Sequence, residues 1–358
     1  MKKHGSVLSL VVCVLGLYGS FLSWSVLQER INTKPYGLDG TNEPDYFKAP
    51  LIINIVQALF AGIVGFIYTL ISARVNPFSV FTKNDSTIAR SYMKSFLLIS
   101  ITSSLSSPLG YQSLKHVDYL AYLLAKSCKL IPVMLIHLTF YRTKFPLYKY
   151  IVASSVTFGV AVFTLSHSSK PGKSKSTKSI NDGQTLLGMV QLLGSMLLDG
   201  LTNSTQDQMF KLKSNDKNKQ IVKITGAKLM CILNTFVFVL TLGYALIFAF
   251  DSEVMYTVNF IHKHPHVLIN ILEFAVFGAV GQVFVFIILE KFDSLILITA
   301  TVTRKMISMI LSVVLFGHYL NTIQWCGVGL VFGGIGYEAI VKLMSKKEEK
   351  QVDEKKNQ

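Results

Sequence analysis

Lys126 and Lys129 lie three residues apart inside an apolar run, residues 119–141 (YLAYLLAKSCKLIPVMLIHLTFY), that is long enough to cross a bilayer. A cation at the centre of a membrane-spanning helix costs about 2.5–3.5 kcal/mol on insertion scales. Two cations at i and i+3 on one helical face therefore require water, counter-ions or an anionic ligand beside them. Arg304 and Lys305 interrupt a second apolar run, residues 295–316, in the same way. Cations at membrane depth in two helices point to a path for an anion, and the chemistry is that of binding rather than of bond-making.

Snorkelling to an interface is the plain alternative for Lys126 and Lys129, but both lie about two turns or more from the helix start at Asp118, which favours a cavity. Adjacent helical residues point about 100° apart, so Arg304 and Lys305 do not face a cavity equally: one meets ligand and the other packs. Glu29 closes the first apolar run in LQER, as an interfacial carboxylate or as a cavity group. Asp199 and Glu273 are placed to pair with cavity cations or with Lys228, and Asp207 marks the end of the sixth run. Gln282, Asn203 and Gln206 can donate to a base or sugar, although amides between helices more often serve as interhelical glue.

The elements that must hold these residues follow from composition. The 358 residues are 51% hydrophobic and 15% charged, with a mean hydropathy of +0.45, the balance of an all-α polytopic membrane protein. Windows of about 20 residues give ten transmembrane helices, at 5–28, 50–73, 92–112, 118–141, 147–166, 184–206, 224–250, 267–290, 295–316 and 319–344. The first run has no small-residue cleavage site and reads as a retained span, not a signal peptide. Most Lys and Arg of the short connections fall on the side of the two termini, which puts both ends in the cytosol; the basic stretch 166–179 breaks the pattern. The net charge of +15 is mostly this topology signal and implies no nucleic-acid partner.

Residues 118–165 lie over 293–340 at a constant offset of 175, pairing Asp118 with Asp293, Ala125 with Ala300, Lys129 with Arg304 and Gly159 with Gly334. Five helices per half make the copies enter the bilayer in opposite senses, the inverted-repeat plan of many secondary transporters. The expected organisation is a first repeat at 1–166, a luminal linker at 167–183, a second repeat at 184–344 and a cytosolic tail at 345–358. In that tail Lys355 and Lys356, fourth and third from the end, form a dilysine address of the kind read by coat-protein retrieval machinery.

Other chemistries find no support. The four cysteines, Cys13, Cys128, Cys231 and Cys326, fall inside apolar runs without metal-ligand spacing. HKHPH at 262–266 reads as a solvated turn in preference to a metal site. GVGLVFGGIG at 327–336 has no strand before it and suits close helix packing better than a dinucleotide. No phosphate-binding loop, nucleophile elbow or zinc-protease motif is present, so no catalytic residue, cofactor or metal is expected and the chain does not read as an enzyme.

GLYGSFLSWSVLQERI, LAKSCKLIPVML, LDGLTNSTQDQM and TVTRKMISMILSVVLF together resemble the solute carrier 35 subfamily B nucleotide-sugar transporters, and within them the fungal UDP-galactose transporter homologue 1 group. The resemblance runs from Ser6 to Met344 and is poor at 33–48 and 168–182. It implies a ten-helix drug/metabolite transporter fold in the endoplasmic reticulum membrane. Such an antiporter exchanges cytosolic UDP-galactose or UDP-glucose for a luminal nucleoside monophosphate and supports luminal protein folding. Carried over by motif, Lys126 and Lys129 of KSCK and Lys305 of TRK bind phosphates, with Glu29 as a cavity carboxylate. The internal repeat selects Arg304 instead; the tighter match of the motif favours Lys305. Two other functions fit the residues: an ATP/ADP exchanger of the same membrane, and a non-transporting membrane factor for folding or retention.

Overall fold

The computed structural model describes residues 7–37, 44–73, 76–82, 84–128, 130–139, 146–167, 178–211, 224–292, 294–317 and 320–356. Among them the chain is helical, with one isolated antiparallel bridge between Tyr36 and Asp45. The helices are α1 (Val7–Thr33), α2 (Pro50–Ala73), α3 (Ser79–Thr82), α4 (Ser86–Ser113), α5 (Tyr119–Ser127), α6 (Leu130–Thr139) and α7 (Leu147–His167). The second half holds α8 (Lys178–Lys211), α9 (Gly226–Phe248), a π-helical turn (Phe250–Met255), α10 (Tyr256–Lys263), α11 (His266–Lys291), α12 (Ser294–Phe316) and α13 (Thr322–Lys356). Six stretches of the described residues, in α1, α2, α9, α11, α12 and α13, are long and apolar enough to cross a membrane, and the chain is a multi-pass membrane protein.

Local chemistry sets the helix ends. Pro50 opens α2, where its missing N–H costs nothing. The Thr225 side chain accepts from the Lys228 backbone N–H and caps α9. Inside the helices Thr69, Ser100 and Thr102 donate to carbonyls one turn back, which satisfies hydroxyls where no water reaches.

Two expected boundaries are corrected, and two stretches between or beyond the spans prove helical. The fourth span is not one helix: α5 ends at Ser127 and α6 begins at Leu130. Pro132 lacks the N–H that would bond the Cys128 carbonyl and its ring crowds that carbonyl, so the helix breaks one turn before the proline. The 167–183 linker is shorter than expected, because α7 runs through His167 and α8 starts at Lys178. The stretch between α9 and α11 is helical, with a sharp turn at His264–Pro265. The tail continues α13 to Lys356, with opposite charges such as Lys350 and Glu354 at i, i+4 in the sequence.

Packing joins the halves pairwise: α1 lies on α11, α2 on α9, α4 on α8 and α7 on α13. The last pair touches through its backbones. A Cβ on Gly159 would stand 2.8 Å from the Gly327 carbonyl oxygen and one on Gly327 2.7 Å from that of Gly159, so neither position admits a side chain. Beside this crossing, Leu120 and Leu124 of α5, Val156 and Phe163 of α7, Met309 of α12 and Val331 of α13 form one buried cluster. Large apolar side chains remain exposed on the outer faces, among them Ile67 and Ile71 on α2, Leu98 and Ile101 on α4, Leu186 and Val190 on α8, and Ile247 and Phe248 on α9. This is the surface a bilayer covers.

Glu253, in the π-helical turn, accepts from the Leu51 backbone N–H at 3.2 Å and so ties that turn to the start of α2. Burial pushes its carboxyl up from the ordinary range to about 7, against the pull of the Leu51 and Ile52 N–H groups and of Lys115. A folded pKa above the unfolded one means that this contribution to stability is complete below the ordinary carboxylate range and is lost as pH rises through about 7. The melting temperature of the wild type is therefore expected to fall between about pH 4.5 and pH 7 and to level off above, and Glu253→Gln to flatten that fall. Thermal unfolding of both proteins across that range checks it; equal pH dependence would remove Glu253 as its source.

Candidate anion-binding site

At mid-height of the bundle α1, α2, α4, α5, α8 and α12 surround a cavity of about 300 Å³. Its cations are Lys126, Arg304 and Lys305. Aromatic and amide side chains share the wall: Trp24, Tyr111 and Tyr122, the last with Lys126 Nζ 6.0 Å from its ring centroid, together with Gln28 and Gln57. A second cavity of about 350 Å³ shares Lys126, Asp199 and Lys305 and extends along α6 and α8 past Pro132, Thr202 and Asn203. The two are therefore contiguous, with Lys126, Asp199 and Lys305 at their junction.

Each cation is held differently. Lys126 sits in the last turn of α5, where the carbonyl end of the helix favours positive charge. Its Nζ donates to Ser195 Oγ and to Asp199 Oδ2, both at 2.6 Å, and Ser106 Oγ donates to the other carboxylate oxygen. Gly110 leaves room for the Ser195 hydroxyl that Lys126 bonds, since a Cβ there would lie 3.1 Å from Ser195 Oγ. The Arg304 guanidinium lies over the Phe21 ring, 4.5 Å from its centroid, while Lys305 lines both cavities. Both consecutive cations thus line the central cavity, and Lys305 lines the second one as well.

The cavity is closed off at one end by a polar aromatic layer. Tyr119 donates to the Ser25 carbonyl at 3.0 Å, with Gln28 Oε1 3.3 Å away, and Tyr111 faces the same Gln28 amide. Beyond this layer, where α1 ends and α2 begins, lies a further cavity of about 490 Å³ that includes Lys48, Lys115 and Asp118 and shares Tyr111 with the central one.

Of the residues singled out by sequence, Lys126, Lys305, Arg304 and Asn203 come together here. Asn203 lines the second cavity and donates to the Asp199 carbonyl. Glu29 does not line either central cavity: it is 1% exposed in the contact of α1 with α12, where Ser312 Oγ donates to its Oε2 at 2.6 Å. Gln282, half-buried on α11, is also absent from the lining. Lys129 lies outside the described residues, and of Lys355 and Lys356 only their place at the end of α13 is described. Sequence reasoning did not select Trp24, Tyr111, Tyr122, Gln28 and Gln57, because aromatic residues and amides on apolar helices carry no signal of which way they face. Among the described residues no three His, Cys, Asp or Glu side chains converge to hold a metal.

A cavity lined by cations together with aromatic and amide groups suits a ligand that carries both phosphate and a ring. The model of the UAA transporter family matches residues 9–342 of the chain. The chain belongs to the UAA transporter family. It is a transporter and not an enzyme. This UAA transporter is 69% identical over 350 residues to the UDP-galactose transporter homolog 1 of Debaryomyces hansenii, covering 97% of this chain and 98% of that one. It is 56% identical over 364 residues to the protein of the same name from Candida albicans, covering 98% and 94%. With that of Saccharomyces cerevisiae it shares 41% over 343 residues, covering 94% and 96%. The UAA transporter also shares its overall fold with a solved crystal structure, at a TM-score of 0.51 and 12% identity over 90% of this chain and 96% of the other.

Proposed function

We propose that this protein is a nucleotide-sugar antiporter of the endoplasmic reticulum membrane, carrying UDP-galactose or UDP-glucose from cytosol to lumen in exchange for a nucleoside monophosphate. The observation that carries this reading is the meeting of Lys126 on α5 with Arg304 and Lys305 on α12 around one cavity that aromatic and amide side chains also line. Cations from two helices can be neutralised by a diphosphate in a low-dielectric site, and the diphosphate by them. An empty cavity keeps an excess of positive charge and resists closing, which favours exchange over net leak. The printed names of the relatives, UDP-galactose transporter homolog 1, support the substrate class.

In this reading the chain crosses the membrane ten times, as two inverted five-helix repeats with both termini cytosolic. α5 with α6 forms the fourth span. The helix contacts support it: exchange of each span for the one five places on turns α1 on α11 into α8 on α4, and α6 on α8 into α12 on α1, and all four contacts are present. It leaves α2 on α9 and α7 on α13 unchanged. The dilysine Lys355–Lys356 then stands in the cytosol for coat-protein retrieval, and Lys129, at the break between α5 and α6, joins Lys126 at the phosphates.

Uptake of labelled UDP-galactose by the purified protein in liposomes preloaded with UMP tests the reading. Competition by unlabelled UDP-galactose, UDP-glucose and UMP, with at least tenfold stimulation by internal UMP, is the expected result. Uptake unaffected by internal nucleotide contradicts exchange, ATP entry into ADP-loaded vesicles replaces the substrate, and no transport at all moves the protein to a folding or retention role.

A further inference from the structure

Asp199 is the one acidic side chain among the described residues lining the two central cavities, and it is placed against a cation already assigned to substrate. Both of its oxygens are engaged. Oδ2 is 2.6 Å from Lys126 Nζ, and Oδ1 accepts from Ser106 Oγ. Ser195 braces the pair from the far side, accepting from Lys126 Nζ at 2.6 Å and donating to the Ser106 carbonyl at 2.7 Å. The pair is not sealed in the protein: its side chains are 20% and 39% exposed, to the same space a ligand would fill.

An anion entering this cavity meets a lysine whose charge is already answered. To bond Lys126, a phosphate oxygen must take the place of Asp199 Oδ2 or share Lys126 with it, and the carboxylate repels every negative charge brought beside it. That repulsion scales with the charge of the ligand, whereas the aromatic and amide wall does not respond to charge.

We propose that Asp199 is a specificity-determining residue: a tethered counter-anion that competes with the substrate phosphate for Lys126 and disfavours ligands in proportion to their negative charge. This inference rests on the nucleotide-transport reading above and deepens it. The competition keeps Lys126 neutralised when the cavity is empty. It weakens binding enough for release on the far side, and it sets nucleoside monophosphates and diphosphate sugars ahead of triphosphates.

Binding of UMP, UDP and UTP to the purified full-length protein, by ligand-induced thermal shift and by calorimetry, tests it. These carry about two, three and four negative charges near pH 7.5, since a terminal phosphate loses its second proton near pH 6. Asp199→Asn keeps the shape and the Ser106 contact but removes the charge. It is expected to raise UTP affinity about tenfold or more and UMP affinity about threefold, so that the ratio of the two changes. Asp199→Glu, which keeps the charge, is expected to hold the wild-type ratio. A loss of affinity equal for all three nucleotides would make Asp199 only a positioning residue for Lys126 and overturn the proposal, as would an unchanged ratio. Comparison of Lys126→Gln with Lys126→Gln/Asp199→Asn asks the same question with no charge left unpaired, and covers the case in which Asp199→Asn alone does not fold. The double variant is expected to recover UTP binding that the single one loses, and no recovery overturns the proposal. A wild type that binds none of the three nucleotides is a separate outcome, overturning the transport reading itself.

Discussion

Lys305→Ala is expected to lower exchange of UDP-galactose for UMP by about a hundredfold or more while leaving the protein folded and monodisperse. A charge-assisted bond between a lysine and a phosphate is worth about 1.5–3 kcal/mol, or roughly ten- to a hundredfold, and more where water is excluded. Lys305 lines both cavities, so its loss affects the ligand wherever its phosphates rest. Lys126→Ala is expected to cost as much transport but also some stability, because it strips Asp199 of the partner at 2.6 Å and leaves a carboxylate in the cavity wall. Adding Asp199→Asn to Lys126→Ala is expected to restore the stability and not the transport. Arg304→Lys, at a guanidinium stacked on Phe21, is expected to be milder than either. Radiolabelled exchange in liposomes and thermal unfolding of the same preparations check the whole set. Full exchange in Lys305→Ala with loss in Arg304→Ala would reverse the assignment and vindicate the internal-repeat alignment over the family motif.

The cations were legible in the sequence because charge inside an apolar run is expensive and therefore informative. Their partners were less so. Asp199 was open to pairing with the cavity or with Lys228, and only the juxtaposition of α4, α5 and α8 decides for Lys126. Glu29 illustrates the limit from the other side. It is spaced along α1 like Trp24, Ser25 and Gln28, yet points to Ser312 of α12 and not into the cavity. Helices apolar on every side have no hydrophobic face to fix their rotation, so hydropathy reports which segments cross and not which way a residue turns. The break in the fourth span is a different omission. Pro132 stood in the middle of a 23-residue run, and its effect on the Cys128 carbonyl follows from the chain alone. Continuous hydropathy masked it, because a broken transmembrane helix remains apolar through the break.

That break is also where the second large effect is expected. Gly200→Ala, the addition of one methyl group, is predicted to reduce exchange at least tenfold, and Gly194→Ala, on the same helix, to leave it unchanged. A Cβ on Gly200 would stand 2.8 Å from Pro132 Cβ, 2.9 Å from its carbonyl carbon and 3.0 Å from its carbonyl oxygen. These are contacts with a proline ring and with backbone, neither of which can swing aside, so α6 itself must move away from α8. A Cβ on Gly194 meets nothing within 4 Å. The displacement falls on the functional centre, because Pro132 is what ends α5 beyond Lys126 and Gly200 adjoins Asp199 in sequence. A shift of a few tenths of an ångström there opens the 2.6 Å contact of Lys126 with Asp199 and moves α6 along the wall of the second cavity. Overpacking of this kind costs typically 1–3 kcal/mol, so the melting temperature is expected to fall along with transport. The two losses differ from those of Lys305→Ala, which removes a ligand contact and does not move one helix against another. Parallel measurement of exchange and thermal unfolding in Gly200→Ala and Gly194→Ala decides the matter. Wild-type exchange in Gly200→Ala would mean that α6 yields freely against α8, and that the position of the break does not govern how Lys126 meets its ligand.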